Sequence, residues 1–104
     1  MQKNNFSISI SPGAADEIIE TAAWYNNKVE GLGERFLKKL KSSLEEIQQS
    51  PFAFAKINQK GNIRRKITAG FPYKIFYLLD ETHIEVLAVI HFSRSNRFIK
   101  RRLK

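Results

Sequence analysis

Hydrophobic side chains alternate with serines at the start of the chain and then recur at helical spacing. Residues 6–11 read Phe-Ser-Ile-Ser-Ile-Ser, a period-two pattern that predicts a strand. Ser11 and Pro12 are typical of a helix start, since a side-chain oxygen caps free N–H groups and proline suits the first helical position. The hydrophobic residues that follow predict a first helix over about residues 13–28.

A second helical repeat follows a short break that contains two glycines. Gly31-Leu32-Gly33 interrupts the first helix, and Pro51 ends the second, which we place at about residues 33–49. Its lysines and glutamates lie opposite its hydrophobic face. That face consists of Phe36, Leu37, Leu40, Leu44 and Ile47. Because the break is short, the two helices are predicted to form an antiparallel hairpin.

Three further strands are predicted in the second half of the chain. Ile63–Thr68 alternates in polarity, Tyr73–Leu79 is rich in aromatic and β-branched residues, and Ile84–Phe92 is almost entirely hydrophobic, as a central strand should be. Gly70-Phe71-Pro72 and Asp80–His83 supply the turns between them. The sequence therefore predicts an α+β fold of order β-α-α-β-β-β, in which a helix hairpin packs on a mostly antiparallel four-stranded sheet.

The remaining segments and the overall composition narrow the class of protein. Residues 52–61 are predicted to be irregular, and residues 93–104 to form either a short helix or a tail. The 104 residues fit a single domain over 1–104. The absence of cysteine excludes disulfides and thiolate metal sites. With no signal peptide and no apolar run long enough for a bilayer, we expect a cytoplasmic protein that does not bind membranes.

The positive charge is concentrated in one half of the sequence. The formal net charge is +8; residues 1–59 hold seven Lys/Arg and seven Asp/Glu, whereas residues 60–104 hold eleven and three. The difference, eleven minus three, accounts for the whole excess. This asymmetry predicts an anionic partner, which is nucleic acid, an acidic protein segment, or both.

Two segments of the basic half carry candidate chemistry. Arg64-Arg65-Lys66 lies in a predicted strand, so Arg64 and Lys66 point to one face of the sheet and Arg65 to the other. This cluster either contacts a polyanion or merely keeps an edge strand soluble. The two histidines, His83 and His91, lie on different elements without acidic residues at ligand spacing, so we expect no metal site.

The second segment is His91–Arg97, at the end of the most hydrophobic strand. A histidine there can act as a general base near neutral pH, and the arginines Arg94 and Arg97 can hold a phosphate. The alternative is a capped strand end, with His91 hydrogen-bonded in the sheet and both arginines in water.

Several short motifs, in this order and spacing, make nearly the whole chain resemble the RelE/ParE superfamily, the toxins of type II toxin–antitoxin modules. The motifs are Ser11-Pro12-Gly13-Ala14, Trp24-Tyr25, Gly31-Leu32-Gly33-Glu34-Arg35-Phe36, Gln49-Ser50-Pro51, Arg64-Arg65, Phe71-Pro72-Tyr73-Lys74-Ile75-Phe76-Tyr77 and Val86-Leu87-Ala88-Val89-Ile90-His91-Phe92-Ser93-Arg94. The resemblance implies one of two activities. RelE-like members cut messenger RNA in the ribosomal A site, whereas ParE-like members poison DNA gyrase.

The resemblance also implies which branch to expect. RelE-like enzymes use basic residues on the sheet and usually a late tyrosine or histidine as acid or base. This chain has no tyrosine after Tyr77, and Phe98-Ile99-Lys100 stands where such an enzyme tends to place one. A phenylalanine cannot transfer a proton. The arrangement of His91 and Arg94 resembles the ParE-type pattern, so the ParE-like branch is favoured.

The candidate site residues follow from these two activities. In a nuclease, His91, Arg94 and Arg65 would be catalytic, with His91 as the base and an arginine stabilising the strained phosphate. No cofactor is expected. The cations predicted to contact either target are Lys60, Arg64, Arg65, Lys66, Lys74, Arg94, Arg97 and Arg101.

Three functions therefore stay open at the level of sequence. The chain is a toxin that poisons DNA gyrase, a ribosome-dependent endoribonuclease that cuts messenger RNA, or a non-toxic nucleic-acid-binding module. Either toxin implies a cognate acidic antitoxin. We expect a partly disordered segment of that antitoxin to lie on the helix hairpin and the sheet edge, where it buries Leu/Phe anchors and neutralises basic surface.

Overall fold

The structure is a computed structural model that describes residues 6–57, 61–94, 97 and 99. Two helices and five strands follow one another along the chain. Their bounds are β1 Ser7–Ile10, α1 Pro12–Lys28, α2 Leu32–Gln49, β2 Ala55–Lys56, β3 Ile63–Ile67, β4 Tyr73–Asp80 and β5 His83–His91. Within the described part of the chain, neither helix combines the length and hydrophobicity needed to cross a membrane.

The helix hairpin begins and turns where the sequence predicts. Ser11 caps α1, since its hydroxyl accepts a hydrogen bond from the Ala14 N–H at 3.3 Å. At the tip, the Asn26 side chain accepts a 2.7 Å hydrogen bond from the Gly33 N–H and so joins α1 to α2. A Cβ on Gly33 would lie 2.2 Å from the Ala22 carbonyl oxygen. The helices therefore approach as closely as they do only because residue 33 is glycine.

The sheet has five strands in the order β1-β5-β4-β3-β2, with β1 parallel to β5 and every other pair antiparallel. The predicted α+β fold is confirmed, but the predicted count of four strands is one too low. The additional strand, β2, lies in the stretch predicted to be irregular. It pairs with Arg64 and Arg65 over two residues, too few to give an alternation that the sequence could reveal.

A bulge in β5 decides which way the end of that strand faces. Phe76 pairs with Ala88, but Tyr77 pairs with Val86, so Leu87 is an extra residue opposite β4. Leu87 and Ala88 consequently pack on the same face of the sheet. The strict alternation of β5 shifts by one residue at this point, and every side chain after Leu87 changes face.

Two side chains, one from α1 and one from its cap, hydrogen-bond to backbone groups at the bulge and just after it. The Ser11 hydroxyl donates to the Leu87 carbonyl oxygen at 3.3 Å, and the Glu17 carboxylate accepts from the Val89 N–H at 2.9 Å. Buried backbone groups without partners are costly, so these bonds stabilise the bulge and tie it to α1.

The two faces of the sheet carry separate hydrophobic cores. On the helix side, the hairpin packs on a large cluster that includes Phe36, Ile47, Ile75, Tyr77 and Val86. The opposite face, which we call the far face, carries a smaller cluster. It consists of Ile63, Phe76, Leu87, Ala88, Ile90 and Ile99. Ile99 is fully buried there, so part of the segment predicted to be a short helix or a tail packs on the sheet, and Arg97 and Ile99 have helical backbone.

Candidate functional site

Arg64 and Lys66 point to the helix side of the sheet, where both are held by neighbouring groups. The Arg64 guanidinium donates to the carbonyl oxygens of Phe52 and Phe54, at 3.2 and 2.7 Å, and lies 5.4 Å from the Phe52 ring centre. The Lys66 ammonium lies 2.8 Å from a Glu46 carboxylate oxygen and 4.5 Å from the Phe54 ring centre. Arg64 and Lys66, which were predicted to contact a polyanion, thus attach the segment after α2 to the sheet.

The neighbouring Arg65 points to the far face, as the alternation predicts, and is partly exposed opposite Phe76. Lys74, predicted to contact the target, is only 5% exposed. Its ammonium donates to the Arg94 carbonyl oxygen and lies between the rings of Phe76 and Phe92, at 5.6 and 5.8 Å from their centres. Burial, with the Arg65 charge as a second cause, lowers the pKa of Lys74. Lys74 therefore stabilises the turn at Arg94 through this hydrogen bond.

His91 lies on the helix side because the bulge precedes it. It pairs with Tyr73, and the two rings meet edge to face with centres 5.3 Å apart. Its Nδ1 accepts the Ser93 N–H at 3.1 Å and lies 2.9 Å from the Ser93 hydroxyl. Since an N–H donates to Nδ1, we assign the ring proton to Nε2. The lone pair that a general base needs is thus already engaged within the turn.

The predicted site residues do not all come together, although Arg65 lies near Lys74, whose ammonium donates to the Arg94 carbonyl oxygen. His91 and Arg94 are joined in one turn, where the Arg94 N–H donates to the His91 carbonyl oxygen at 2.9 Å. Arg65 lies on the other face of the sheet. Arg97 is exposed, whereas Lys60 and Arg101 lie outside the described residues.

The structure forms a cleft of about 560 Å³ beside His91 that sequence reasoning did not find. We call it the aromatic cleft; Trp24, 53% exposed, stands on its α1 side with its ring centre 5.1 Å from that of Tyr25. Burial, followed by the charge and hydrogen bond of Tyr73, raises the pKa of Tyr25. The walls are formed by Glu20, Thr21, Trp24 and Tyr25 of α1 and by Pro72, Tyr73 and His91.

A second cleft of about 310 Å³ lies between the start of α2 and the turn before β4. We call it the basic cleft. It is lined by Leu32, Arg35, Lys38, Lys39, Gly70 and Phe71. The sequence analysis missed these three cations because residues 1–59 have equal numbers of basic and acidic residues. A net charge of zero does not show where the individual charges lie in the fold. A helical wheel provides the one available signal, since positions 35, 38 and 39 share a helix face.

Comparison with known proteins relates this geometry to a family. Residues 8–96 match the sequence model of a family described as "ParE toxin of type II toxin-antitoxin system, parDE". A chain of the chromosomal ParDE TA system from P. aeruginosa has a similar fold, with a TM-score of 0.73 and 11% identity over 86% of this chain and 98% of that one. The isolated E. coli RelE toxin matches with a TM-score of 0.62 and 19% identity over 95% and 99%. Among curated protein sequences there is no significant match.

Proposed function

Because the chain belongs to the ParE toxin family of type II toxin–antitoxin systems, we propose that it arrests growth by poisoning DNA gyrase. The predicted membership of the RelE/ParE superfamily is confirmed by the family match and by the two shared folds. A toxin of this kind has an antitoxin as its partner. The identity of the target is our inference, and the positions of the predicted site residues support gyrase over messenger RNA.

One observation carries the proposal: His91 and Arg65 lie on opposite faces of the sheet. A ribonuclease needs its base and its phosphate-stabilising cation around the same phosphate group. Here the sheet separates His91 from Arg65, and in the turn that His91 shares with Arg94 its Nδ1 is already hydrogen-bonded to the Ser93 N–H. This arrangement favours a toxin that acts by binding over one that cleaves RNA.

The turn after β5 is the surface that we propose contacts the target. It presents the exposed residues Phe92 and Arg94 beyond the end of β5, and the Lys74 ammonium donates to the Arg94 carbonyl oxygen. Arg97, which follows the turn, is exposed as well. Arginine side chains beside an exposed aromatic ring are enriched at protein interfaces. Arg65 is a second proposed contact, on the far face, while Lys60 and Arg101 stay predictions from sequence.

The test uses purified toxin and purified gyrase. We expect the toxin to inhibit supercoiling or to trap cleaved DNA with gyrase, and Arg94→Ala to weaken this effect by about tenfold or more, as for an interface arginine. Lys41→Ala, an exposed cation on α2 away from the turn, is the matched control and should leave it unchanged.

Other results would point to the other two functions. If gyrase is unaffected at toxin levels that arrest growth, the proposal fails. Codon-phased cuts in messenger RNA after induction would instead support the endoribonuclease, and His91→Ala would then test the base. Harmless overexpression without antitoxin would favour a non-toxic nucleic-acid-binding module.

A further inference from the structure

His83 lies between two serine hydroxyls on the far face of the sheet. Its neighbour Ile84 packs in the helix-side core, so the alternation of β5 places His83 on the opposite face. The Ser7 hydroxyl oxygen lies 2.7 Å from Nδ1 of the ring, and the Ser9 hydroxyl oxygen lies 2.9 Å from Nε2. All three of these polar side chains are exposed, so a small molecule can reach both hydroxyls.

The imidazole ring has a fixed capacity for hydrogen bonds. In its neutral form one nitrogen carries a proton and the other carries a lone pair. Because each nitrogen of His83 faces one serine, one hydroxyl donates to the lone pair and the other accepts from the N–H, whichever tautomer is present. The donating serine thus has the adjacent base that a nucleophilic hydroxyl needs, and the accepting serine orients the ring.

Two acidic residues belong to the same face of the sheet beside this ring. Asp80 is directly opposite His83 in the pair of β4 and β5, and Glu85 is directly opposite Ser9 in the pair of β1 and β5. Directly opposite residues have Cβ atoms about 4.5–5.5 Å apart. Carboxylates so close stabilise the imidazolium that forms when His83 takes a serine proton. They also repel anionic reactants, which favours an uncharged one.

The backbone of β1 provides donors for the negative charge that develops on a reacting carbonyl oxygen. β1 is an edge strand, and the N–H groups of Ser7 and Ser11 both donate inward to carbonyl oxygens of the neighbouring chain. The N–H groups of Ile8 and Ile10 alternate with these and point to the open edge. Each follows one of the two serines, and the N–H after a nucleophilic serine is a common donor to the oxyanion.

We propose that His83 activates Ser7 or Ser9 as a nucleophile and that this cluster is an acylation site for uncharged activated esters or thioesters. The serine Oγ attacks the carbonyl carbon, and its proton passes to the ring nitrogen of His83 that carries the lone pair. When the tetrahedral intermediate collapses, the bond to the alcohol or thiol breaks and His83 returns the proton to that leaving group. The product is an ester-linked acyl group on β1. This inference does not depend on the proposed toxin function.

A second pair of histidine and serine in the same chain serves as an internal control. The Ser93 hydroxyl lies 2.9 Å from Nδ1 of His91, which is as close as the Ser9 hydroxyl lies to His83. The Ser93 N–H, however, donates to the same Nδ1 at 3.1 Å and engages its lone pair. The same two residue types therefore predict an activated serine at His83 and an ordinary one at His91.

The test treats the purified chain with p-nitrophenyl acetate and locates acetyl groups by peptide mass spectrometry. Hydroxylamine cleaves serine esters but not acetylated lysines, so it identifies the expected product. We expect acetylation of Ser7 or Ser9 to be about tenfold or more faster than that of Ser93, since general base catalysis contributes at least this much. His83→Gln keeps a polar side chain without a base and should reduce the rate to that of Ser93.

Matched variants identify the reacting hydroxyl and the class of donor. Ser7→Ala and Ser9→Ala should each leave the label on the remaining serine, and the double variant should lose it. Ser42→Ala, an exposed position on α2, is the control and should leave the rate unchanged. With the anionic donor acetyl phosphate, the preference for the β1 serines over Ser42 should be smaller. Circular dichroism establishes that each variant is folded.

Three results would overturn the proposal. The first is acetylation of Ser93 as fast as that of the two β1 serines. The second is an unchanged rate in His83→Gln, which would remove His83 as the base. The third is an equal or larger preference for these serines with acetyl phosphate, which would contradict the uncharged donor. Neither gyrase nor antitoxin enters the assay, so failure of the proposed target leaves its result interpretable.

Discussion

The two faces of the sheet are built from the same strands and yet have different structural roles. The helix side carries the large core, and there Arg64 donates to two carbonyl oxygens. The far face carries the small core beneath Ile99, and there Arg65 stays partly exposed. Of these two adjacent residues, one is bound to backbone carbonyl groups and the other is partly exposed to solvent. Membership of a basic cluster therefore does not by itself identify a functional cation.

The largest expected effect tests the helix-side core. Phe36 is fully buried and packs against Tyr25, Phe71 and Tyr73 with ring centres 5.4–5.7 Å apart. Phe36→Ala should lower the free energy of unfolding by about 3–5 kcal/mol, because it removes buried surface and leaves a cavity. Urea unfolding measures this change. Leu37→Ala, at the adjacent exposed position, is the control and should cost less than about 1 kcal/mol; equal losses would contradict the assigned core.

The next effect tests the far-face core. Ile99 is fully buried against Phe76 and Ile90, although it belongs to the last, basic part of the sequence. Ile99→Ala should lower the free energy of unfolding by roughly 2–4 kcal/mol. Ile67→Ala, at a partly exposed position of β3, should have a much smaller effect. An unchanged free energy of unfolding in Ile99→Ala would contradict the role of Ile99 in the far-face core.

The comparison is sharpest for the two adjacent arginines. Arg64→Ala leaves the carbonyl oxygens of Phe52 and Phe54 without their donor, so we expect a loss of roughly 1–3 kcal/mol. Arg65→Ala should change the free energy of unfolding by less than about 0.5 kcal/mol, as expected for a surface position. Parallel urea titrations compare the two variants. A larger loss of stability for Arg65→Ala than for Arg64→Ala would contradict the faces of the sheet that we assign to these two residues.

The smallest expected effect concerns one hydrogen bond inside the helix-side core. The Tyr77 hydroxyl donates to the Pro51 carbonyl oxygen at 2.7 Å, and both residues are buried. Tyr77→Phe removes the donor and should cost about 1 kcal/mol at neutral pH. Chemical denaturation of both proteins at pH 7 measures this difference.

The same residue gives a pH dependence with a defined sign. Burial raises the pKa of Tyr77 from 10.0 to about 12, although the Arg64 charge opposes the shift. A raised folded-state pKa gives stability that is present below pH 10 and is lost as the pH rises through about 12. Between these values wild type should therefore lose stability relative to Tyr77→Phe. A constant difference between the two proteins across this range would contradict the assignment.

Local sequence patterns were sufficient to predict most of the elements. The serine alternation of residues 6–11, the Ser11-Pro12 helix start and the glycines of 31–33 each act within a few residues of where they lie, so they predict β1, α1 and the hairpin turn. The two-residue strand β2 was missed because it is defined by its pairing with β3. A pattern within residues 55–56 cannot reveal a pairing with residues 64–65.

The candidate site was harder to predict, because it depends on contacts between distant segments. Arg35, Lys38 and Lys39 belong to a half of the chain with balanced charge and become a basic cleft only when Phe71 packs beside them. Trp24 becomes part of a cleft only opposite Pro72.

The sequence by itself determined the order of every element except β2, the helix hairpin and the resemblance to the toxin superfamily, because each rests on short-range spacing. Tertiary structure alone decided which face His91 occupies. Strict alternation along β5 would place it with Arg65 on the far face, but the extra residue Leu87 moves it to the helix side. The Leu87 carbonyl oxygen accepts a hydrogen bond from Ser11, and the Val89 N–H donates to Glu17. One inserted residue in a strand reverses every side chain after it, and the bonds that stabilise the insertion come from a helix about 70 residues earlier in the chain.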